Sequence, residues 1–364
     1  MAGITDSAFR LLNIWGGVDL VYSEMAHVNA LSFGGKKTLE MLAVSPFESS
    51  YVVQLFGNDP KFFGKAAKLL GEKGVPPVQY QPFTKKQMNF LDNLNKKLVP
   101  DNRQPFAVFY SNFLDFQEKL KRTKQSSQSS PAALRQFPDG IDINLGCPAK
   151  KVFGHGSGAK LFEDVPKIRA IVEEVLANTN LPVSLKMRSA VGDVSLLAVL
   201  EKLKDLPIKR VMVHGRSYEQ GFSGEINYQI IKEVKEKYPQ FSFWANGGIN
   251  DWKSAEKVSK KTGCLNLGIA RGALGNPLLA GEIKQKTNLP VSSHQLTVNV
   301  KSVLAYIHTI LNQQAKGEKG MLEIRKHLAW YFTGFPEASK LRTRLVRIKT
   351  LEELEKILRE INSV

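Results

Sequence analysis

The chain has 364 residues, enough for a large domain with a smaller one around a sizeable core, and its 43% hydrophobic content is that of a globular protein. No run of about 18 apolar residues occurs, so no membrane span is expected, and the opening residues lack the basic start and apolar core of a secretory signal. Cys147 and Cys264 are too few for a disulfide framework and fit a reducing cytoplasm, while 51 Lys and Arg against 34 acidic residues leave a formal charge of +17 and point to a polyanionic partner.

In chain order, β-branched apolar runs bounded by turn residues predict strands at 18–23, 51–55, 141–145, 183–187, 211–214, 241–245 and 265–269. Helical patterns fall between most of them, at 166–178, 195–203, 228–237 and 251–262, each long enough for a crossover. Strand alternating with helix predicts a parallel α/β sheet, and runs this continuously apolar read as strands buried on both faces. Eight such units close a TIM (β/α)8 barrel of about 250 residues. Seven are visible; the first strand is missing, because residues 1–6 already read as a strand-to-helix loop.

Residues 74–136 break the repeat with a Pro-Pro pair, several aromatics and a Ser/Gln/Lys segment at 121–131 that has the composition of a mobile loop. An insertion is expected there, either widening a polyanion-binding surface or simply tolerated as a surface loop. From about residue 288 the pattern is purely helical, with apolar spacing at Val303, Ile307, Ile310 and Leu311 and again at Leu351, Leu354, Ile357 and Leu358. The expected division is a barrel domain over 1–287 and a C-terminal all-helical domain over 288–364. Both irregular regions are basic: 74–136 carries ten Lys or Arg against four acids, and 288–364 carries twelve against seven. Lys340, Arg342, Arg344, Arg347 and Lys349 lie close together there and are candidate phosphate contacts.

Residues with chemistry recur at strand ends, and a barrel of parallel strands presents all its strand C-termini on one face. Cys147 follows the 141–145 strand in a Gly-Cys-Pro turn, Lys186 and Arg188 close the next, and His214 and Asn246 close two more. Cys264 opens a strand and reads instead as a small buried hydrophobe. The glycines around His155 make a mobile lid plausible. No Gly-Lys-Ser/Thr closes that segment, so it is not a P-loop, and no Gly-x-Gly-x-x-Gly follows a strand. No metal site is expected.

Taken in order, Met-Ala-Gly-Ile-Thr-Asp-Ser-Ala-Phe-Arg at 1–10, Gln-Leu-Phe-Gly at 54–57 and Asp-Ile-Asn-Leu-Gly-Cys-Pro-Ala-Lys-Lys-Val at 142–152 resemble the tRNA-dihydrouridine synthases. Leu-Lys-Met-Arg at 185–188, Val-His-Gly-Arg at 213–216, Ala-Asn-Gly-Gly-Ile at 245–249 and Ala-Arg-Gly-Ala-Leu-Gly-Asn-Pro at 270–277 continue the match. His-Leu-Ala-Trp-Tyr-Phe-Thr-Gly-Phe-Pro at 327–336 resembles the bacterial B-type branch. The resemblance implies an FMN enzyme that reduces the C5=C6 bond of uridines in tRNA with electrons from NADPH or NADH. It is expected to be monomeric and cytoplasmic, without a stable protein partner.

Hydride would go to uracil C6 and a proton to C5. An ordinary thiol, with a pKa of about 8.5, is mostly protonated at neutral pH, which suits Cys147 as that acid. Asn144 resembles the position that bonds the uracil edge, and Arg188 would assist there or bind substrate. Gln54 and Met1, Ala2 and Gly3 would contact the flavin ring, while Lys186 would offset its negative charge. His214 and Asn246 would meet flavin or its phosphate, the latter held by backbone N–H groups of Gly247, Gly248 and Gly272 with Arg271 as counter-charge. The helical tail would dock tRNA through Lys340, Arg342, Arg344 and Arg347. Departures are Ala270 where glycine is usual, the missing strand and Ala-Pro before Met1, and the insertion. Two other readings are another FMN barrel reductase working on a small pyrimidine or enone, and a catalytically silent RNA-binding protein.

Overall fold

The computed structural model describes residues 1–95, 104–125, 136–287, 294–335 and 337–362. Its strands in chain order are β1 (Val21–His27), β2 (Tyr51–Phe56), β3 (Gly140–Leu145), β4 (Val183–Arg188), β5 (Ala190–Val191), β6 (Val194–Ser195), β7 (Arg210–His214), β8 (Ser242–Asn246) and β9 (Asn266–Gly268). β5 and β6 form a small antiparallel hairpin that the sequence did not predict. The other seven make one sheet in the order β1-β2-β3-β4-β7-β8-β9, every pair parallel. Helices Pro60–Lys73, Val165–Ala177, Leu196–Glu201, Tyr228–Lys237 and Trp252–Thr262 lie between strands as crossovers. This is the expected TIM-barrel architecture, with seven strands among the described residues. β1 starts at Val21 and continues to His27 through a register shift between Tyr22 and Met25, so the predicted 18–23 strand is displaced along the chain.

The strands are buried on both faces, as expected, but they are not continuously apolar: one face is apolar and the other carries most of the polar residues. Ile141, Ile143 and Leu145 of β3, with Val183, Leu185 and Met187 of β4, pack in one core with helix residues such as Phe63, Ile171 and Val258. Side chains alternate along a strand, so the residues between them point into the barrel. In register, Gln54, Asp142, Ser184 and Arg210 form one inward layer, and Asn144, Lys186 and Met212 the next. Arg188, His214 and Asn246 form the third, at the strand C-termini. Each fully buried outward aliphatic side chain stabilises the sheet–helix contact by ~1.5–3 kcal/mol; the inward layers carry the chemistry.

A second core lies beside the sheet. Val303, Ile307 and Leu311 of the His294–Lys316 helix pack with Ile324 and Leu328 of Glu318–Tyr331 and with Leu354 and Leu358 of Leu351–Asn362. The insertion joins this core through helices Lys85–Asn95 and Gln104–Gln125. Phe109, Phe113 and Phe116 share one helix face and surround Trp15, with ring centroids 5.8, 5.8 and 5.0 Å away. Phe90 meets Tyr306 at 4.6 Å. The insertion is therefore a wall of the second core and not a tolerated loop. Residues 121–125 close the Gln104–Gln125 helix, and 126–131 lie outside the described residues. No described helix is long and apolar enough to cross a membrane.

Candidate active site

Where β3 ends, Gly146-Cys147-Pro148 turns the chain toward the Lys150–Gly154 helix, and Cys147 is a half-buried free thiol. Asn144 builds this turn. Its Oδ1 accepts from the backbone N–H of Gly146 at 3.1 Å and of Cys147 at 2.9 Å, while its Nδ2 donates to Gln54 Oε1 at 2.9 Å. Gln54 Nε2 in turn donates to Asp142 Oδ2 at 2.8 Å, and Ser184 Oγ donates to Asp142 Oδ1 at 2.8 Å. Burial pushes the Asp142 carboxyl up to about 6, against the opposing pull of these hydrogen bonds and of Lys186 and Arg210. The two amides expected to meet uracil and flavin are thus engaged with protein groups.

Lys186 stands opposite Asn144 on β4. Its ammonium makes no hydrogen bond or ion pair among the described residues; burial lowers its pKa, Asp142 opposes this and Arg188 adds to it. Arg188, also on β4, is buried, and donates Nε to the Gly146 carbonyl at 2.9 Å and Nη1 to the carbonyls of Ser217 and Gly221 at 2.6 and 2.9 Å. It therefore fastens the Cys147 turn to the loop after β7. Phe153 strengthens the same link by stacking on Tyr218 with centroids 4.0 Å apart.

His214 closes β7 between Arg188 and Asn246 in register, and Arg216 Nη1 lies 3.4 Å from its Nε2. Burial, then Lys186, Arg188, Arg216 and Arg271, push its pKa down to about 3, so the imidazole is neutral at physiological pH. Four cations act on this one ring, and no carboxylate is among its main influences.

Asn246 ties β8 to β9 by donating Nδ2 to the Gly268 carbonyl at 2.6 Å. Gly247 follows with φ +119°, where a Cβ would stand 2.8 Å from His214 Cδ2. Gly248 also has positive φ. At Gly272 a Cβ would meet the Ile249 carbonyl at 2.1 Å, so only glycine lets the 271–273 turn lie on the loop after β8. Arg271 stacks over Phe222 at 4.7 Å and donates to its carbonyl at 3.2 Å. Ala2 precedes Gly3, whose N–H donates to Glu24, and both Lys186 and Cys147 act on the Met1 amino group.

The tail residues are not part of this cluster. Lys340, Arg342 and Arg344 are exposed on the Ala338–Leu345 helix, and Arg347 follows it. Lys340 pairs with Glu337 at 2.9 Å and Arg344 with Glu360 at 2.5 Å, whereas Arg342 and Arg347 have no acidic partner among the described residues. Cys264 is buried. Sequence reasoning gave no role to Asp142, Arg216 or Phe222. The alternation of polar residues at 142, 144, 184, 186, 188, 210 and 214 was the available signal for the first; an exposed loop aromatic such as Phe222 carries none.

An open-ended parallel barrel with a thiol and a cation-rich cluster at its strand C-termini is the layout of a barrel enzyme. A family model described as dihydrouridine synthase matches residues 1–79 and 117–363. A probable tRNA-dihydrouridine synthase 1 of Synechocystis sp. is 32% identical over 362 residues, covering 98% of this chain and 83% of that protein. A probable tRNA-dihydrouridine synthase of Rickettsia typhi is 31% identical over 351 residues, covering 94% and 86%, and one of Rickettsia conorii is 27% identical over 347 residues, covering 94% and 85%. The chain belongs to the dihydrouridine synthase family. The stretch outside the family match, 80–116, contributes Tyr80, Phe90, Phe109 and Phe113 to the second core.

Proposed function

We propose that this protein is a tRNA-dihydrouridine synthase, an FMN-dependent oxidoreductase that reduces the uridine C5=C6 bond in tRNA to 5,6-dihydrouridine with electrons from NADPH or NADH. The observation that carries the reading is a half-buried thiol, Cys147, beside a cation-rich and carboxylate-poor barrel mouth in a chain of this family. Its relatives are named probable tRNA-dihydrouridine synthases.

The residues fit an anionic flavin. Lys186 has donors without acceptors, and its charge suits the N1–C2=O edge of a reduced ring. Arg271 and the backbone of Gly247, Gly248 and Gly272 suit a phosphate, as loops after late barrel strands commonly do. Met1, Ala2 and Gly3 would border the ring, neutral His214 would offer it a hydrogen bond without adding charge, and Asn246 would hold the phosphate loop in shape. When bound and reduced, the flavin supplies the hydride for uracil C6.

Charge then builds at C5 and the adjoining carbonyl, and Cys147 gives its Sγ proton to C5. Arg188 and Asn144 hold the turn that presents the thiol, and Gln54 supports Asn144 from beneath. A uridine must leave its stack to reach this depth. Lys340, Arg342, Arg344 and Arg347 would hold tRNA phosphates meanwhile, with 1–287 as the catalytic part and 288–364 as the tRNA-binding part. Such an enzyme would meet its tRNA in the cytoplasm, and nothing in this scheme needs more than a monomer.

Anaerobic single turnover tests the reading: protein reduced by NADPH is mixed with unmodified tRNA and flavin absorbance is followed, for wild type and Cys147→Ala. The wild-type flavin should be reoxidised, with the variant slower by ~10²- to 10⁴-fold though still reduced by NADPH. Protein that takes up no flavin, or reduced flavin left untouched by tRNA, would favour the silent RNA-binding reading. Turnover of free uridine without tRNA would favour a small-pyrimidine reductase.

A further inference from the structure

Beneath the Cys147 turn runs a line of side chains with a single donor sense. Asn and Gln amides have nearly the same shape either way round, so their partners decide which atom points where. At the top, two backbone N–H groups need an acceptor, so Asn144 turns Oδ1 toward them and Nδ2 away. Gln54 must then accept with Oε1, and its Nε2 faces whatever lies below. What lies below is Asp142, fully buried, whose ionised carboxylate offers acceptors only. Ser184 donates to its other oxygen.

This carboxylate is in no salt bridge among the described residues; its electrostatic partners, Lys186 and Arg210, act without bonding it. A buried carboxylate without an ion pair is costly, and the hydrogen-bond line explains why it is there. We infer that Asp142 is a positioning residue, which anchors the lower end of this line through the Gln54 amide and so steadies Asn144 and the turn that presents the Cys147 thiol. The inference rests on the proposed function for the use of that thiol, but the line itself can be tested separately.

Two variants separate an acceptor role from a counter-charge role toward Lys186. Asp142→Asn keeps an oxygen for Gln54 and can direct its amide to Ser184 Oγ, but carries no charge; Asp142→Ala keeps neither. The measurements are the rate of Cys147 alkylation by iodoacetamide from neutral to alkaline pH, read by peptide mass spectrometry with buried Cys264 as control, and tRNA turnover in parallel. In Asp142→Ala the Gln54 amide loses its acceptor and the line its lower anchor, so Cys147 should alkylate about tenfold faster, Cys264 should stay protected, and turnover should fall about tenfold in kcat with little change in KM, the scale of one hydrogen bond. Asp142→Asn should restore both to within about twofold of wild type.

If Asp142→Ala unfolds and exposes Cys264, Gln54→Leu carries the test, because it cuts the line above an intact Asp142 and should speed Cys147 alone. Equal behaviour of the alanine and asparagine variants, or Cys147 alkylation unchanged in Asp142→Ala and Gln54→Leu, overturns the inference. Wild-type protein that ignores tRNA while its variants show the alkylation pattern removes the functional reading and leaves the line standing. Normal tRNA turnover with a flat alkylation pattern does the reverse.

Discussion

Arg10 and Lys186 are both cations inside this protein, yet among the described residues only Arg10 is in a salt bridge. Arg10 meets Glu48 at 2.5 and 3.2 Å and gives its other donors to the carbonyls of Thr5 and Ala43. Glu48 also accepts from Ser7 Oγ at 2.5 Å and from the Ser45 N–H at 2.8 Å, and Tyr80 of the insertion donates to Ser7. Close by in sequence, Asp6 meets Lys316 of the C-terminal helices at 2.6 Å. Opposite charges close on one another here and join the barrel's first helix to the second core. At the barrel mouth, Lys186, Arg188, Arg216 and Arg271 instead crowd around one neutral histidine. The first region joins elements of the fold; the second, under the function proposed above, would keep positive charge ready for an anion at a cost in stability.

Breaking the closed region should have the largest effect. Glu48→Ala strands the Arg10 guanidinium inside the protein, which should lower unfolding free energy by ~3–5 kcal/mol in urea titrations. An unchanged midpoint would mean that this pair is dispensable and would blur the contrast with the mouth.

A smaller effect comes from pH. Burial pushes the Asp6 carboxyl up, but Lys316, then His308, outweigh it and hold the pKa down at about 2, below the ordinary carboxylate range. A depressed carboxyl pKa contributes stability that is present above the unfolded value and lost as pH falls through the folded one. Unfolding free energy should therefore drop by about 2 kcal/mol between about pH 4 and about pH 2 from this group, a slope that Asp6→Asn flattens. Urea unfolding at a series of acid pH values checks both arms.

Lys186→Met sharpens the comparison from the other side. FMN binding, measured by fluorescence titration, should weaken by about ten- to hundredfold, since a hydrogen bond to a charged group contributes ~1.5–3 kcal/mol. The thermal midpoint should hold or rise, because a desolvated ammonium with no salt bridge among the described residues has been removed. A falling midpoint with undiminished FMN affinity would move Lys186 to the structural side.

Much of the barrel was legible because its signals are local. Ile141, Ile143 and Leu145 announce a strand by their own spacing, and Cys147, Lys186 and His214 declare themselves by standing at strand ends. Of the inward layers, Asp142, Ser184 and Arg210 were not, since reading each strand as one apolar run hid the polar residues below the strand ends. Of the two readings of the insertion, the tolerated surface loop fails for a related reason: its Pro-Pro and Ser/Gln bias suggests a loop, whereas the spacing of Phe109, Phe113 and Phe116 acquires meaning only against Trp15.

By itself, the sequence determined where strands and crossover helices form and which residues reach the strand C-termini, because side-chain period and turn chemistry are properties of neighbours along the chain. Only the tertiary structure decided that Asn144 faces the Cys147 turn, that Gln54 supports it, and that Asp142 lies beneath. The direction of a hydrogen bond depends on both of its ends, and here the ends lie 88 and 90 positions apart.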